Sequence, residues 1–325
     1  MDYHQLIIPT KFDLSTYRFG MPQQSGTMTV LPVFGCDNDG RFVAPLSGLK
    51  LSQVRGYGNM ELSNPAETGI AIAPLHMGYI QDRAQNHALC RSAFIAAGQK
   101  LMFEDACCVQ AAQGGYLEGR EQWFFILPLP LRQEALELRG KEDYSKLWDA
   151  ISRLNQQFAL PNRGHLEQIL SRKRAFLTQY QSRLELLPHQ TGAVFFIGDK
   201  LAGVEIAPSA AYFQELWMPL VCFCYGVAAM YQEKDLEVNK PLVPFSASNL
   251  KELREQLNQS RLERQEQVRN WLAQTPAEQF GIEEEERFLS LRLQTLTGKN
   301  FAGQYVEEEG RLLYASLFAK AGYLN

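Results

Sequence analysis

A polar run between two strand-like segments carries the side chains best suited to bind a ligand. The run YIQDRAQNHALC spans residues 79–90. Its binding candidates are Arg83, Gln85, Asn86 and His87. Two adjacent amides offer paired hydrogen-bond donors and acceptors, and an arginine with a histidine could meet an anion. A solvated turn is the commoner explanation of such a composition, so the run predicts either a ligand loop or an exposed turn.

One acid at the end of a hairpin is the candidate catalytic residue. In TGAVFFIGDKLAGVEI, residues 191–206, two apolar strands flank Gly198-Asp199. Glycine at the first central position fits a two-residue type II′ turn. Glu205 near the end of the second strand could act as a general base if a proton lies within hydrogen-bond reach. The alternative is an exposed acid on a strand, and Gly203 beside it would let a ligand or another backbone approach closely.

The chain contains no complete catalytic, cofactor or metal signature. Walker A, H-E-x-x-H and G-x-S-x-G patterns are missing from the sequence. His76 and His87 flank one predicted hairpin, but two histidines alone are more typical of strand ends than of a metal site. The six cysteines form no C-x-x-C pair, and buried, reduced thiols are the expectation. We therefore expect no metal ion, and no cofactor can be assigned.

Composition and charge exclude several classes of protein. The formal net charge is −4, and the longest basic run is the short SRKR at residues 171–174, so nucleic-acid binding is not expected. The N-terminus lacks the pattern of a secretory signal. The most apolar stretch, residues 216–231, is interrupted by Pro219 and Gly226 and is short for a bilayer, which favours a buried helix. A cytoplasmic protein without membrane contact is the expectation.

The order of strand and helix patterns predicts an α+β fold. Short strand patterns separated by turn residues fill the first half and suit an antiparallel sheet. Helical spacing follows over 140–160 and over 165–187, and we expect the middle and C-terminal helices to pack on that sheet. A further helix is predicted over 281–298, with its acids in the first turn.

The chain is expected to divide near a linker at residues 238–248, NKPLVPFSASN. Residues 1–240 would form the main α+β domain. Residues 241–325 would form a helical extension ending in a strand or hairpin, which could belong to the same domain.

Three stretches together resemble a known family, the ARPP domain, named for its association with ARG and rhodanese-phosphatase proteins. RAQNH at 83–87 is similar to the family's Gly-Ala-Lys-Gln-Asn-Arg segment, with His87 in place of the arginine. DACCVQAAQGGYL at 105–117 is similar to Pro-Val-Ser-Cys-Val-Glu-x-Gly-x-Trp, with Gln110 in place of the acid. The third is the hairpin and helix at 192–221, and the loose alignment spans 26–230. The resemblance implies an α+β domain and a link to prokaryotic defence, but no reaction.

Two functions from different classes follow from these features. The first is a binding or regulatory protein that takes a small ligand or a protein partner, or that self-associates through the polar helices after residue 246. The alternative is a hydrolase acting on a nucleotide-derived or ADP-ribose-type molecule, with Glu205 as general base.

Overall fold

The computed structural model describes residues 14, 16–35, 40–54, 58–80, 85–111, 123–142, 147–233 and 246–324. The strands in this part of the chain are β1 Arg18–Phe19, β2 Gln23–Ser25, β3 Met28–Phe34, β4 Phe42–Val43, β5 Lys50–Val54, β6 Met60–Ser63, β7 Ile70–Ala73, β8 Met77–Ile80, β9 His87–Ala88, β10 Ala93–Ala96, β11 Lys100–Phe103, β12 Cys107–Cys108, β13 Trp123–Ile126, β14 Gly192–Ile197, β15 Lys200–Ile206, β16 Gly281–Phe288, β17 Leu291–Thr297, β18 Phe301–Glu308 and β19 Arg311–Ala319. The helices are α1 Pro45–Gly48, α2 Leu129–Glu137, α3 Trp148–Gln157, α4 Glu167–Arg172, α5 Arg174–Arg183, α6 Ala210–Met218, α7 Tyr225–Glu233, α8 Leu250–Gln274 and α9 Ala321–Leu324, with a π-helical segment, Pro219–Cys224, between α6 and α7.

The largest sheet has nine strands and joins the two ends of the chain. Its order is β1-β3-β14-β15-β19-β18-β17-β16, with β2 also paired to β3. Neighbouring strands in it are antiparallel, and β15 pairs with β19 through Glu205 opposite Ser316. Strands and helices occur in similar amounts, so the predicted α+β class is confirmed. The last third of the chain thus contributes four strands to the sheet that contains the candidate acid.

The hairpin that carries Glu205 forms as predicted. Its turn residue Gly198 has a φ of 63°, as the first central position of a type II′ turn requires. Side chains alternate along β15, so Val204 and Ile206 lie in a core on one face of the sheet. Glu205 lies opposite Ala193, which belongs to the larger core on the other face. The acid therefore points into the protein interior.

Each face of the nine-stranded sheet covers an apolar core. The larger core lies between this sheet and the smaller sheets, α2 to α5 and the α6–α7 region. The smaller core lies on the opposite face, where Val268 and Leu272 from the C-terminal half of α8 are buried. Most of α8 remains polar and exposed, because only one short stripe of it contacts the sheet.

The apolar stretch at residues 216–231 forms a buried helix, as predicted. Ser209 caps α6 by accepting a hydrogen bond from the Tyr212 backbone N–H. Pro219 has no N–H to donate, and the helix passes there into the π-helical segment before α7. Within the described residues, Ala210–Glu233 alone has the length and composition to cross a membrane, but 83% of its apolar window is buried inside the protein. The core helix of a soluble protein has this property.

The helix predicted over 281–298 is wrong, because this segment forms the hairpin β16–β17. Arg139 contacts both Glu283 and Glu285 of β16, and a register shift between Glu284 and Glu286 interrupts the alternation of side chains in this strand. Glutamate favours helices as an isolated residue, but strand pairing with β17 overrides that preference. A row of acids on an outer strand also discourages pairing with another chain.

Two further expectations need correction. The second predicted helix is divided at Lys173 into α4 and α5. The cysteines are not all reduced, because Cys90 and Cys107 form a disulfide with a Cα–Cα distance of 6.5 Å. Cys107 pairs with Ala88 across β9 and β12, which brings it close to Cys90 two residues further on. Strand register produces this proximity, and sequence spacing alone does not reveal it.

Gly203 tests how tightly the sheet packs on α7. The Tyr225 ring stacks on Phe195 with centroids 4.0 Å apart, and its hydroxyl passes over Gly203. A Cβ at position 203 would collide with that hydroxyl and lie 2.7 Å from the Leu317 carbonyl oxygen.

We expect Gly203→Ala to lower the free energy of unfolding by about 3 kcal/mol. The matched control is Gly281→Ala, where the added Cβ would lie 3.6 Å from its neighbour, and urea unfolding should show little change. Equal stability of the two variants would contradict the packing described.

Candidate functional site

Two clusters of buried polar side chains in the described part of the protein contain residues that the sequence singled out. The first, here the arginine cluster, consists of Arg132, Glu205, His76, Tyr225 and Ser316. The second, here the amide cluster, consists of Gln85, Cys108, Gln110, His165 and Glu167. The clusters differ in how completely their hydrogen bonds are satisfied.

Arg132 on α2 is the centre of the arginine cluster. Its side chain is 0% exposed. Nη1 donates to Glu205 Oε1 at 2.7 Å, and Nη2 donates to Ser316 Oγ at 2.5 Å. Nε donates to His76 Nδ1 at 3.1 Å, and the guanidinium lies 4.6 Å from the centroid of the Phe318 ring. The three hydrogen bonds connect α2 with β15, with β19 and with the turn before β8.

Glu205 is held by two donors at the same oxygen. The Tyr225 hydroxyl donates a hydrogen bond to Glu205 Oε1 at 2.7 Å, beside the bond from Arg132. Glu205 is 3% exposed, so its interpretation as an exposed strand acid is wrong. Burial alone would lower the pKa of Arg132, but the Glu205 carboxylate raises it above its usual value. Burial and the same carboxylate raise the pKa of Tyr225. Both donors therefore keep their protons, and the arrangement fixes α2 and α7 on the sheet.

His76 is neutral in this cluster. Its Nδ1 accepts a hydrogen bond from Arg132 Nε–H, so Nδ1 itself carries no proton. Burial lowers its pKa well below the usual value, and the Arg132 charge lowers it further. His76 also has a φ of 63°, in the left-handed region. Across the described residues, no three His, Cys, Asp or Glu side chains are placed to hold a metal ion.

The amide cluster is built on a short contact between two chain segments. Gln110 forms an isolated antiparallel bridge with His165. Opposite residues in such a pair point to the same face, as do residues two apart on one strand. Cys108 therefore shares a face with Gln110 and His165. The Cys108 sulfur lies 3.3 Å from Gln85 Oε1 and 3.1 Å from the Gln110 carbonyl oxygen, either of which can accept a hydrogen bond from the thiol.

Several polar atoms of the amide cluster are buried without a hydrogen-bond partner in the described structure. Gln110 is 0% exposed, yet neither its Nε2 nor its Oε1 has a partner. The same holds for Gln85 Nε2 and for Glu167 Oε2, which lies 3.8 Å from His165 Nδ1. Each such group costs about 1–3 kcal/mol of stability, and native proteins contain few of them. Their concentration in one place marks this cluster as the candidate functional site.

Burial shifts the ionisable groups of the amide cluster towards their neutral forms. It raises the pKa of Cys108, which hydrogen bonds to Gln110 and Trp148 partly oppose. It also raises the pKa of Glu167 and lowers that of His165. A thiol with a raised pKa is a poor nucleophile. The cluster is therefore suited to binding through neutral hydrogen-bonding groups more than to covalent chemistry.

The structure separates the residues that the sequence singled out. Gln85 belongs to the amide cluster. Asn86 is buried beside it and accepts a hydrogen bond from Val109 N–H through its backbone oxygen. Arg83 lies outside the described residues. Glu205 belongs to the arginine cluster, and no hydrogen bond or ion pair between described residues connects it with Gln85 or Asn86. Its role as a general base remains a prediction.

His87 supports the amide cluster from the side. Its Nε2 accepts the Gly58 N–H at 2.9 Å, and its Nδ1 lies 3.1 Å from the Gln85 carbonyl oxygen, to which it donates. Burial lowers its pKa to about 4, which keeps the ring neutral as this pair of bonds requires. His87 thus holds the backbone that carries Gln85.

The sequence did not single out Gln110, His165 or Glu167 as site residues. The one feature of the sequence that could have pointed to this site is Gln110, which stands where the resembled family segment has a glutamate. His165 and Glu167 lie on a distant segment, and only the bridge from Gln110 brings them to the cluster.

The arginine–glutamate pair can be tested by a double-mutant cycle. Arg132→Met leaves the Glu205 charge buried and unpaired, so we expect a loss of about 3–5 kcal/mol in the free energy of unfolding. Glu205→Met should cost a similar amount for the reciprocal reason. The double variant buries neither charge and should lose clearly less than the sum. Urea unfolding measures all three, and additive losses would contradict the pairing.

Because His76 is buried and neutral, we expect the free energy of unfolding to fall at acid pH. Below pH 6.5 the unfolded chain protonates this histidine and the folded protein does not, so stability falls as the pH falls. Asn in its place tolerates the positive φ and offers Arg132 an acceptor. Between pH 6.5 and the onset of acid unfolding, wild type should lose about 1.4 kcal/mol more per pH unit than His76→Asn. The exposed His189 has a φ of 61°, and His189→Asn should keep the wild-type slope. Parallel pH profiles for wild type and His76→Asn would contradict a buried neutral ring.

Comparison with known proteins agrees with the resemblance seen in the sequence. No curated protein and no solved structure matches the chain. A family profile, the ARG and Rhodanese-Phosphatase-superfamily-associated Protein domain, matches residues 16–318 and so covers both clusters and the nine strands of the large sheet except the last residue of β19. The chain belongs to this family, ARPP-1.

Proposed function

We propose that the protein is a binding and regulatory protein that takes a small polar molecule at the amide cluster. The observation that carries the proposal is Gln110, a fully buried side chain whose two amide atoms have no partner among the described residues. A ligand that pairs with these atoms would recover the free energy lost when they were buried.

Other buried glutamines of the same protein support this interpretation by contrast. Gln304 is 1% exposed, and its Oε1 accepts the Ser92 N–H at 2.6 Å while its Nε2 donates to Thr295 Oγ1 at 2.8 Å. Gln190 is also satisfied at both ends, by the Leu187 N–H and the Gly192 carbonyl. The fold thus satisfies both ends of these two buried amides and leaves both ends of Gln110 unpaired.

The family association suggests the setting in which binding would act. The family's name links it to the rhodanese-phosphatase superfamily, and we propose a regulatory role beside such a protein in a prokaryotic defence or conflict system. The long exposed face of α8 is the surface that we propose for a protein partner or for self-association, because the residues of this helix that pack against a core, Val268, Trp271 and Leu272, lie near its C-terminal end.

The contacts of Glu205 do not favour the hydrolase alternative. The carboxylate oxygen Oε1 already accepts hydrogen bonds from Arg132 and Tyr225, and in the arginine cluster His76 Nε2 is the one buried polar side-chain atom left without a described partner. Binding at the amide cluster therefore remains the better supported function.

Replacement of Gln110 by an apolar residue of similar length tests the proposal without knowledge of the ligand. Gln110→Met removes two unpaired polar atoms, so we expect the free protein to gain about 1–2 kcal/mol in the free energy of unfolding. Such a gain would mean that the polar side chain at position 110 lowers the stability of the free protein, as expected of a residue that serves binding. Urea unfolding and the melting temperature measure it.

Gln304→Met is the matched control. It leaves the Ser92 N–H and the Thr295 hydroxyl without their partner, so it should lose about 1–3 kcal/mol. A comparable loss in Gln110→Met would show that Gln110 is paired in the folded protein, and the proposal would fail.

A further inference from the structure

We infer that the amide cluster selects a neutral, planar molecule that carries hydrogen-bond donors and acceptors side by side, such as a nucleobase or an aromatic carboxamide. The inference rests on the proposed function and adds the chemical class of the ligand.

The unpaired atoms of the cluster are of both kinds. Gln85 Nε2 and Gln110 Nε2 are donors, and Gln110 Oε1 is an acceptor. Glu167 Oε2 is a further acceptor, or a donor when the carboxyl is protonated. One carboxamide at Gln110 can pair with an adjacent donor and acceptor on the edge of a ligand, as amides do with nucleobases. A ligand with acceptors only, such as a phosphate or sulfate, would leave Gln110 Oε1 unpaired.

The charge around the cluster opposes an anion. None of its five side chains is a lysine or an arginine, and burial shifts its ionisable groups towards neutrality. Arg163 and Arg172 act electrostatically on His165 and Glu167, but the described structure shows no hydrogen bond from either guanidinium to the cluster. A buried anion without such a bond would lose its hydration and gain no ion pair to compensate, so its binding would be unfavourable.

An aromatic face beside the cluster favours a planar ligand. The Trp148 side chain lies close enough to Cys108 to lower the pKa of that thiol, and it is only half-buried. Gly164, next to His165, lies against Trp148, and a Cβ there would come within 2.8 Å of the Trp148 Cβ. The Trp148 backbone and Cβ are thus held close to the segment that carries His165. A flat heteroaromatic ring can stack on an indole while its edge pairs with amides.

Matched pairs of small molecules test the inference on the full-length protein. Nicotinamide is compared with nicotinate, and uracil with orotate, by thermal shift and isothermal titration. Each pair differs in one carboxylate. We expect at least one neutral member to bind and to raise the melting temperature by about 5 °C at roughly a hundred times its Kd, and neither anion to do so.

Variants assign binding to the cluster. Gln110→Met should abolish the shift, and Trp148→Leu should weaken the affinity about tenfold through the lost stacking face. Gln304→Met, which is destabilised but lies in another part of the hydrogen-bond network, should keep the shift. Binding that survives Gln110→Met would overturn the inference.

The outcomes separate this inference from the function on which it rests. Binding of the anions in preference to the neutral compounds would overturn the ligand class and leave a binding function in place. No binding of any compound, with Gln110→Met more stable than wild type, would likewise overturn only the class. No binding, with Gln110→Met less stable than wild type, would overturn both.

Discussion

The fold depends on a charged pair in its interior, Arg132 with Glu205. The two residues are 73 positions apart and belong to a helix and a central strand of the nine-stranded sheet. Through Ser316, Tyr225 and His76 the same guanidinium and carboxylate also connect β19, α7 and the turn before β8. Removal of either charge leaves the other buried without compensation, which is far more costly than the net gain from the intact pair. The pair thus constrains how the helices sit on the sheet.

The two polar clusters show opposite uses of buried polarity. In the arginine cluster, each of the three guanidinium nitrogens donates to an identified acceptor, His76 Nε2 alone is left without one, and the result is a fixed arrangement of secondary structure. In the amide cluster, Gln110 is equally buried but unpaired, while His87 and the Cys90–Cys107 disulfide hold the surrounding strands in place. A rigid frame around unsatisfied donors and acceptors is the arrangement expected of a preorganised binding site.

Local patterns explain which features the sequence predicts. The hairpin around Gly198, the buried apolar helix and the α+β class follow from alternation, turn chemistry and hydropathy, and they form as predicted. The run of acids after Gly281 wrongly indicates a helix, because pairing with β17 makes this segment a strand. The partner of Glu205 and the contact between Gln110 and His165 arise from distant segments, so no local pattern indicates them. The fold is therefore more predictable than the site.

The most direct test of the account compares ligand binding in two variants, Glu205→Gln and Gln110→Met, at a temperature where both are folded. Isothermal titration with nicotinamide or uracil gives the Kd for each. If the arginine cluster is structural and the amide cluster binds the ligand, Glu205→Gln keeps the wild-type affinity and Gln110→Met loses it. The reverse result, with affinity lost in Glu205→Gln and retained in Gln110→Met, would contradict the account and return the site to Glu205.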